Sequence, residues 1–216
     1  MNAPRREIEA VIFDLGRVLI DFEWRRAEAL WARMAATDFG TLRARILGGT
    51  DFHGYERGEL DTQAYFAQVR AVCDEPLDFT EFKAAWNAIF IDEIEPTVSL
   101  ARRLHASGRV KVGILSNTNA LHAEFLRARM PLLGELAHVF LSQEIGARKP
   151  EAAAYRHVLR GMGVAAERSV FVDDMEENVA AASRLGMHGV LASSPQAVRE
   201  ALERLGLQLA GNDSKT

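Results

Sequence analysis

Short runs of β-branched and apolar residues recur along this chain with helical segments between them, and that alternation constrains the fold more than any other feature. The runs lie at residues 10–13, 110–115, 139–141, 169–172 and 189–191. Helical periodicity marks residues 96–106, 119–129, 150–161, 176–185 and 195–205. Strand and helix in turn build βαβ units, which bury a parallel sheet beneath helices on both faces. A Rossmann-like, doubly wound α/β sheet is therefore expected. Pro150 and Pro195 suit first-turn positions, and Gly161 and Gly186 suit helix ends.

Residues 21–94 break the alternation and read as helix after helix, at 24–34, 42–47, 61–72 and 79–90. Asp61 and Asp78 fit N-caps. Trp31 and Trp86 are expected to serve a small core of this stretch. The predicted organisation is an α/β domain from residues 1–20 plus 95–216, with an inserted helical cap over 21–94. An insert placed directly after the first strand overhangs that strand's C-terminal mouth.

Composition narrows the classes of partner. At 216 residues and 48% hydrophobic, the chain can bury a substantial core. Its net charge is −4, and Lys and Arg are scattered, which argues against nucleic acid or an anionic membrane as a partner. One cysteine, Cys73, excludes an intrachain disulfide and a Cys-rich zinc site and is expected as a small buried thiol. No apolar run approaches the ~20 residues of a membrane span, and residues 1–9 carry no signal-peptide core. A cytoplasmic protein, monomeric or weakly dimeric, is expected, with a polar tail at 211–216.

Four polar clusters stand at predicted strand ends. Asp14 follows Val11-Ile12-Phe13 and precedes Leu15-Gly16-Arg17-Val18. Alone it fits a turn-capping carboxylate as well as a reactive one. A carboxylate at the mouth of a parallel strand nevertheless occupies the place where open α/β sheets bind ligands. Ser116-Asn117-Thr118-Asn119 follows the second run and suits either an anion cradle or a helix cap. Arg148-Lys149-Pro150 puts a lysine at a helix entrance, either to neutralise an oxyanion or as a solvated charge. Asp173-Asp174 closes the fourth run. Adjacent carboxylates repel without a cation or base nearby. They suit Mg²⁺, although acids at a helix N-terminus also complement its dipole.

In order and in wording these clusters resemble the four motifs of the haloacid dehalogenase superfamily: Asp14 in FDLGRV, Ser116 in ILSNTN, Lys149 in ARKPE, and Asp173-Asp174 in FVDDMEEN. The resemblance spans essentially the whole chain and is closer to the bacterial α-D-glucose-1-phosphate phosphatase-like branch. LSQEIGARKPEAAAYRHVL and the cap stretch Tyr55-Glu56-Arg57-Gly58-Glu59-Leu60 carry that closeness. It implies a Mg²⁺-dependent phosphatase acting on a small phosphorylated metabolite such as a sugar phosphate. Asp14 would form an aspartyl-phosphate. Asp14, the Gly16 carbonyl and Asp174 would hold Mg²⁺, with Asp173 in support. Ser116, Asn117 and Lys149 would bind the phosphoryl oxygens.

One departure stands out. Most phosphatases of this superfamily carry an acid two residues after the nucleophile, and here that residue is Gly16. General acid–base help is worth about 10²–10⁴-fold, roughly 3–5 kcal/mol, so its loss slows the reaction without forbidding it. A metal-bound water and His122 are the candidate substitutes, His122 also fitting a structural role. Arg17 is a candidate substrate contact or a solvent-facing side chain. Tyr55, Glu56 and Trp24 are candidate cap residues over the site. Two further readings stay open: a metal-independent 2-haloacid dehalogenase using the same aspartate, and a non-catalytic binding or scaffold protein.

Overall fold

The computed structural model describes residues 7–33, 38–73 and 76–209; the expected polar tail, Met34 at the end of the first cap helix, and residues 1–6 lie outside them. In chain order, β1 (Ala10–Phe13) leads to β2 (Ile20–Phe22), a 3₁₀ turn at Trp24–Ala27 and α1 (Glu28–Trp31). Then come α2 (Phe39–Gly49), α3 (Phe52–Glu56), α4 (Thr62–Val72), α5 (Phe79–Asn87) and β3 (Phe90–Glu93). The rest alternates: α6 (Glu95–Ala106), β4 (Lys111–Ser116), α7 (Ala120–Arg129), α8 (Leu132–Glu135), β5 (His138–Leu141), α9 (Ser142–Ile145) and α10 (Ala152–Met162). It closes with β6 (Ser169–Asp173), α11 (Glu176–Arg184), β7 (His188–Leu191) and α12 (Pro195–Arg204).

The sheet is parallel, in the order β5-β4-β1-β6-β7. Winding runs outward from β1 through β4 and β5, then returns to the other side of β1 for β6 and β7. The strand order thus reverses at β1, and the crevice outside the strand C-termini at that point is where such sheets bind ligands. β1 is wholly buried because both its faces meet helices. Val11 and Phe13 enter one apolar cluster with Val98, Leu104, Val198 and Leu202. Ala10 and Ile12 enter the opposite one with Ala154, Tyr155, Val158 and Ala181. That is the period-2 alternation of a strand between two helical layers.

A third cluster gathers Trp31, Tyr65, Phe82 and Trp86 from the inserted helices, together with Leu121 from α7. Trp86 is its hub, meeting Trp24 and Trp31 edge-on at ring separations of 6.0 and 6.5 Å. Edge-to-face aromatic pairs each add about 0.5–1.5 kcal/mol beyond burial. Asp38, Asp51, Asp61 and Asp78 cap α2, α3, α4 and α5 through their carboxylates.

Several expected boundaries change. The helix expected at 24–34 is a 3₁₀ turn followed by the single turn of α1. The helix expected at 79–90 ends at Asn87, and the chain continues into β3. β3 pairs antiparallel with β2, so the two legs of the insert form a ribbon that sequence periodicity did not reveal. Pro150 does not start a helix: Glu151 is extended (φ −63°, ψ 128°) and α10 begins one residue later. The C-terminus of α10 is set by Gly163 at φ +60°, not by Gly161. Gly161 instead makes room for the Phe140 ring, which lies 2.7 Å from where a Cβ would stand. Cys73 is partly rather than fully buried. Among the described residues no helix is long and apolar enough to cross a membrane.

Candidate active site

The C-terminal ends of β1, β4 and β6 lie side by side and bring together clusters more than a hundred residues apart in sequence. Asp14 stands one residue beyond β1, where its N–H donates to the Val172 carbonyl at 2.8 Å. Lys149 reaches in from the turn before α10. Its side chain is 2% exposed, and its ammonium sits between two carboxylates, 2.6 Å from Asp14 Oδ1 and 2.7 Å from Asp173 Oδ2. Asp173, fully buried at the end of β6, also accepts from the Met175 N–H at 2.8 Å and from Asn178 Nδ2 at 3.0 and 3.2 Å. Its orientation is therefore over-determined.

Burial, only partly offset by Lys149 and reinforced by Asp173, pushes Asp14 up to about 7. Burial opposes the Lys149 charge, but the two carboxylates outweigh it and hold the lysine above its ordinary value. Burial and the neighbouring Asp173 also raise Asp174. Carboxylate oxygens of Asp14, Asp173 and Asp174 lie within 4.8 Å of one another. With all three carboxylates ionised, one lysine leaves two negative charges for a cation to offset, and every donor is a hard oxygen. That set fits a divalent cation such as Mg²⁺, which takes few carboxylates and several waters.

The other expected residues distribute as follows. Asn117 locks the lysine turn to β4: its Nδ2 donates to the Lys149 carbonyl at 2.9 Å, and its Oδ1 accepts from the Lys149 N–H at 2.7 Å. Ser116, buried at the end of β4, has its hydroxyl 3.5 Å from the Asn117 carbonyl. Gly16 follows Leu15 beyond Asp14, and a Cβ on it would stand 2.9 Å from the Phe22 ring. Arg17, at φ +59°, stacks over Phe22 at 4.9 Å and faces Asp21 and Glu23 at 3.6 and 3.9 Å, its side chain 43% exposed.

His122 has no free ring nitrogen. Its Nε2 lies 3.0 Å from the Trp86 carbonyl and so must donate, which leaves Nδ1 to accept from Asn119 Nδ2 at 3.1 Å. Burial lowers its pKa to about 4, so the ring is neutral. A neutral imidazole with both nitrogens engaged is a structural pin between α7 and α5. It is no proton donor to a leaving group.

A cavity of about 410 Å³ lies between the insert and the sheet, with Gly16, Ser116 and Asn117 at one side and Trp24, Phe52 and Phe90 at another. Trp24 and Glu56 line it as expected, but Tyr55 does not. Tyr55 is stacked on Tyr65 at 4.2 Å inside the cap, and its hydroxyl accepts from the Leu121 N–H at 3.3 Å. Phe22, Phe52 and Phe90 were not anticipated. The signal for two of them was Ile-Asp-Phe at 20–22 and Phe-Ile-Asp at 90–92, short aromatic and β-branched runs flanking the insert.

A parallel sheet reversing at β1, with Asp14, Lys149 and an acid pair at its mouth, marks the candidate active site of an α/β enzyme. The chain belongs to the haloacid dehalogenase-like hydrolase family, whose sequence profile matches residues 8–186. It is 25% identical to the D-ribitol-5-phosphate phosphatase of Bacteroides thetaiotaomicron over 83% of its own length and 89% of that protein. It is 29% identical to the sesquiterpene phosphatase astK of Aspergillus oryzae, covering 84% and 88% of the two chains. It also matches the drimenol cyclase drtB of Aspergillus calidoustus at 29% identity over 92% of its length, but spans only 36% of that longer protein. Among solved structures, a haloacid dehalogenase family enzyme of B. thetaiotaomicron in complex with magnesium superposes with a TM-score of 0.74 at 25% identity, covering 85% and 92% of the chains.

Proposed function

We propose that this chain is a Mg²⁺-dependent phosphomonoester hydrolase working through an aspartyl-phosphate on Asp14. The observation that carries the reading is the Asp14–Lys149–Asp173 array beside Asp174. Asp14, Asp174 and the Gly16 carbonyl would hold the metal, with Asp173 in support; when bound, Mg²⁺ offsets negative charge on the transferring phosphoryl group. Lys149 adds a fixed positive charge 2.6 Å from the attacking oxygen's carboxylate. The Ser116 hydroxyl and the Asn117 N–H would orient phosphoryl oxygens. An oxygen of Asp14 attacks phosphorus, the ester P–O bond breaks, and the departing alkoxide takes a proton from water because Gly16 offers none. A second water then attacks phosphorus as the bond to the Asp14 oxygen breaks; the proton it loses neutralises the hydroxide left by the first step, inorganic phosphate leaves and the Asp14 carboxylate is restored.

The relatives named as phosphatases and the magnesium complex of a structural neighbour support this reading. The acid trio weighs against a metal-independent dehalogenase, which has no use for a divalent cation, and a retained buried lysine weighs against a scaffold. Hydrolysis of p-nitrophenyl phosphate is expected to require Mg²⁺, to stop with EDTA and to fall at least about 10³-fold in Asp14→Asn. Chloride release from 2-chloropropionate in EDTA would support the dehalogenase instead.

A further inference from the structure

Most of the wall that the insert contributes to the 410 Å³ cavity is apolar. Phe22, Trp24, Leu47, Phe52, Ile89 and Phe90 supply most of it. Several polar side chains that also reach the cavity are engaged with the protein. Glu56 accepts from Arg148 Nε at 2.9 Å. Asn119 Oδ1 accepts from the His122 N–H at 3.1 Å and from Trp86 Nε1 at 3.3 Å. His122 and Asn117 are committed as described above. The Arg43 guanidinium lies over the Trp24 ring at 5.1 Å, along the same apolar wall. Ser116 and Thr118 belong to the end of β4, beside the strand that carries Asp14.

The cavity is thus polar where it meets the sheet and apolar where it meets the insert. Gly16 extends the apolar part down to the nucleophile loop, because the Phe22 ring occupies the space a side chain there would need. A polyol whose hydroxyls lie against the apolar wall would bury them there without partners, which costs binding about 10-fold or more per hydroxyl.

We propose that this cavity holds the organic half of a phosphate monoester of an apolar alcohol, a compact ring or branched aliphatic group bearing few or no hydroxyls. This deepens the phosphatase reading and rests on it. A volume of about 410 Å³ lies in the lower part of the roughly 300–1,000 Å³ spanned by small-molecule sites, which suits a compact group over a long chain. It also turns away from the sugar phosphate that the resemblance implied.

The test is a matched pair of esters with Mg²⁺ present: cyclohexylmethyl phosphate and glucose 6-phosphate. Both are primary phosphates on a six-membered ring, so the ring hydroxyls are the main difference. The kcat/KM for the cyclohexyl ester is expected to exceed that for the sugar by at least about 100-fold. In Trp24→Gln the ratio should narrow by about 10-fold. Taking the ratio within one preparation cancels any loss of folded protein. Equal rates, a preference for the sugar, or a ratio unmoved by Trp24→Gln overturns the proposal while leaving the phosphatase reading intact. No hydrolysis of either ester or of p-nitrophenyl phosphate overturns that reading, and this proposal with it.

Discussion

His122 and Gly16 show how single residues near a reaction centre are set by their neighbours. His122 is neutral in the fold, with a pKa near 4 against 6.5 when unfolded. Below pH 6.5 the unfolded chain binds a proton that the native chain refuses, so stability falls as pH drops through 6.5 and levels off below 4. The full contribution is about 3 kcal/mol. Urea unfolding of His122→Gln from pH 7.5 to 4 is expected to lack that slope relative to the parent. Gly16 has a different neighbour, the Phe22 ring 2.9 Å from its absent Cβ. Restoring the family's acid with Gly16→Asp should therefore cost about 1–3 kcal/mol by overpacking and fail to raise kcat. Phe22→Ala in the same chain should recover the stability, read as the urea midpoint. The sequence showed that the acid is missing. It did not show that a ring from the next strand stands in its place.

Among elements, the junction between insert and sheet carries most that was not legible. Among the ion pairs that cross it, Glu56–Arg148 at 2.9 Å and Arg57 Nε to Glu151 at 3.0 Å link the end of α3 to the lysine turn and the start of α10, and Lys83–Glu124 at 2.8 Å links α5 to α7. The Glu56 side chain is 8% exposed, and burial raises its pKa despite Arg148. Arg148→Ala is expected to destabilise by about 2–4 kcal/mol, since it leaves a buried carboxylate unpaired. Adding Glu56→Gln should return much of that loss, a coupling measurable by a double-mutant cycle in urea. The long core helices were legible from their period and the five parallel strands from short runs rich in apolar and β-branched residues between those helices. β2 is Ile-Asp-Phe and β3 is Phe-Ile-Asp-Glu, so acids interrupt both runs and neither stands out as an apolar strand. The α10 boundary moved for a similar reason: Pro150 and Gly161 carry the usual signals, but the Glu151 backbone and the Phe140 ring decide what they do.

At the scale of the whole molecule, the acid cluster holds excess negative charge that the fold must tolerate when no cation is bound. Mg²⁺ at about 100 times its Kd should add about 2.7 kcal/mol to stability and raise Tm by several degrees. EDTA should reverse the shift, and Asp174→Asn should remove most of it. A differential scanning measurement reads this without reference to catalysis. The alternating pattern sufficed for the sheet, for its winding class and for the gathering of Asp14, Ser116 and Asp173 at one edge, whereas Lys149 arrives from the turn between α9 and α10. Local periodicity is written among sequence neighbours, and strand ends of a parallel sheet necessarily share a face. Tertiary structure alone decided that Lys149 bridges Asp14 and Asp173, that His122 is a neutral pin, and that aromatic rings wall the cavity beside Gly16 and Ser116. Each of those depends on side chains from separate elements meeting in space, and burial among them, more than residue type, sets their charge and their chemistry.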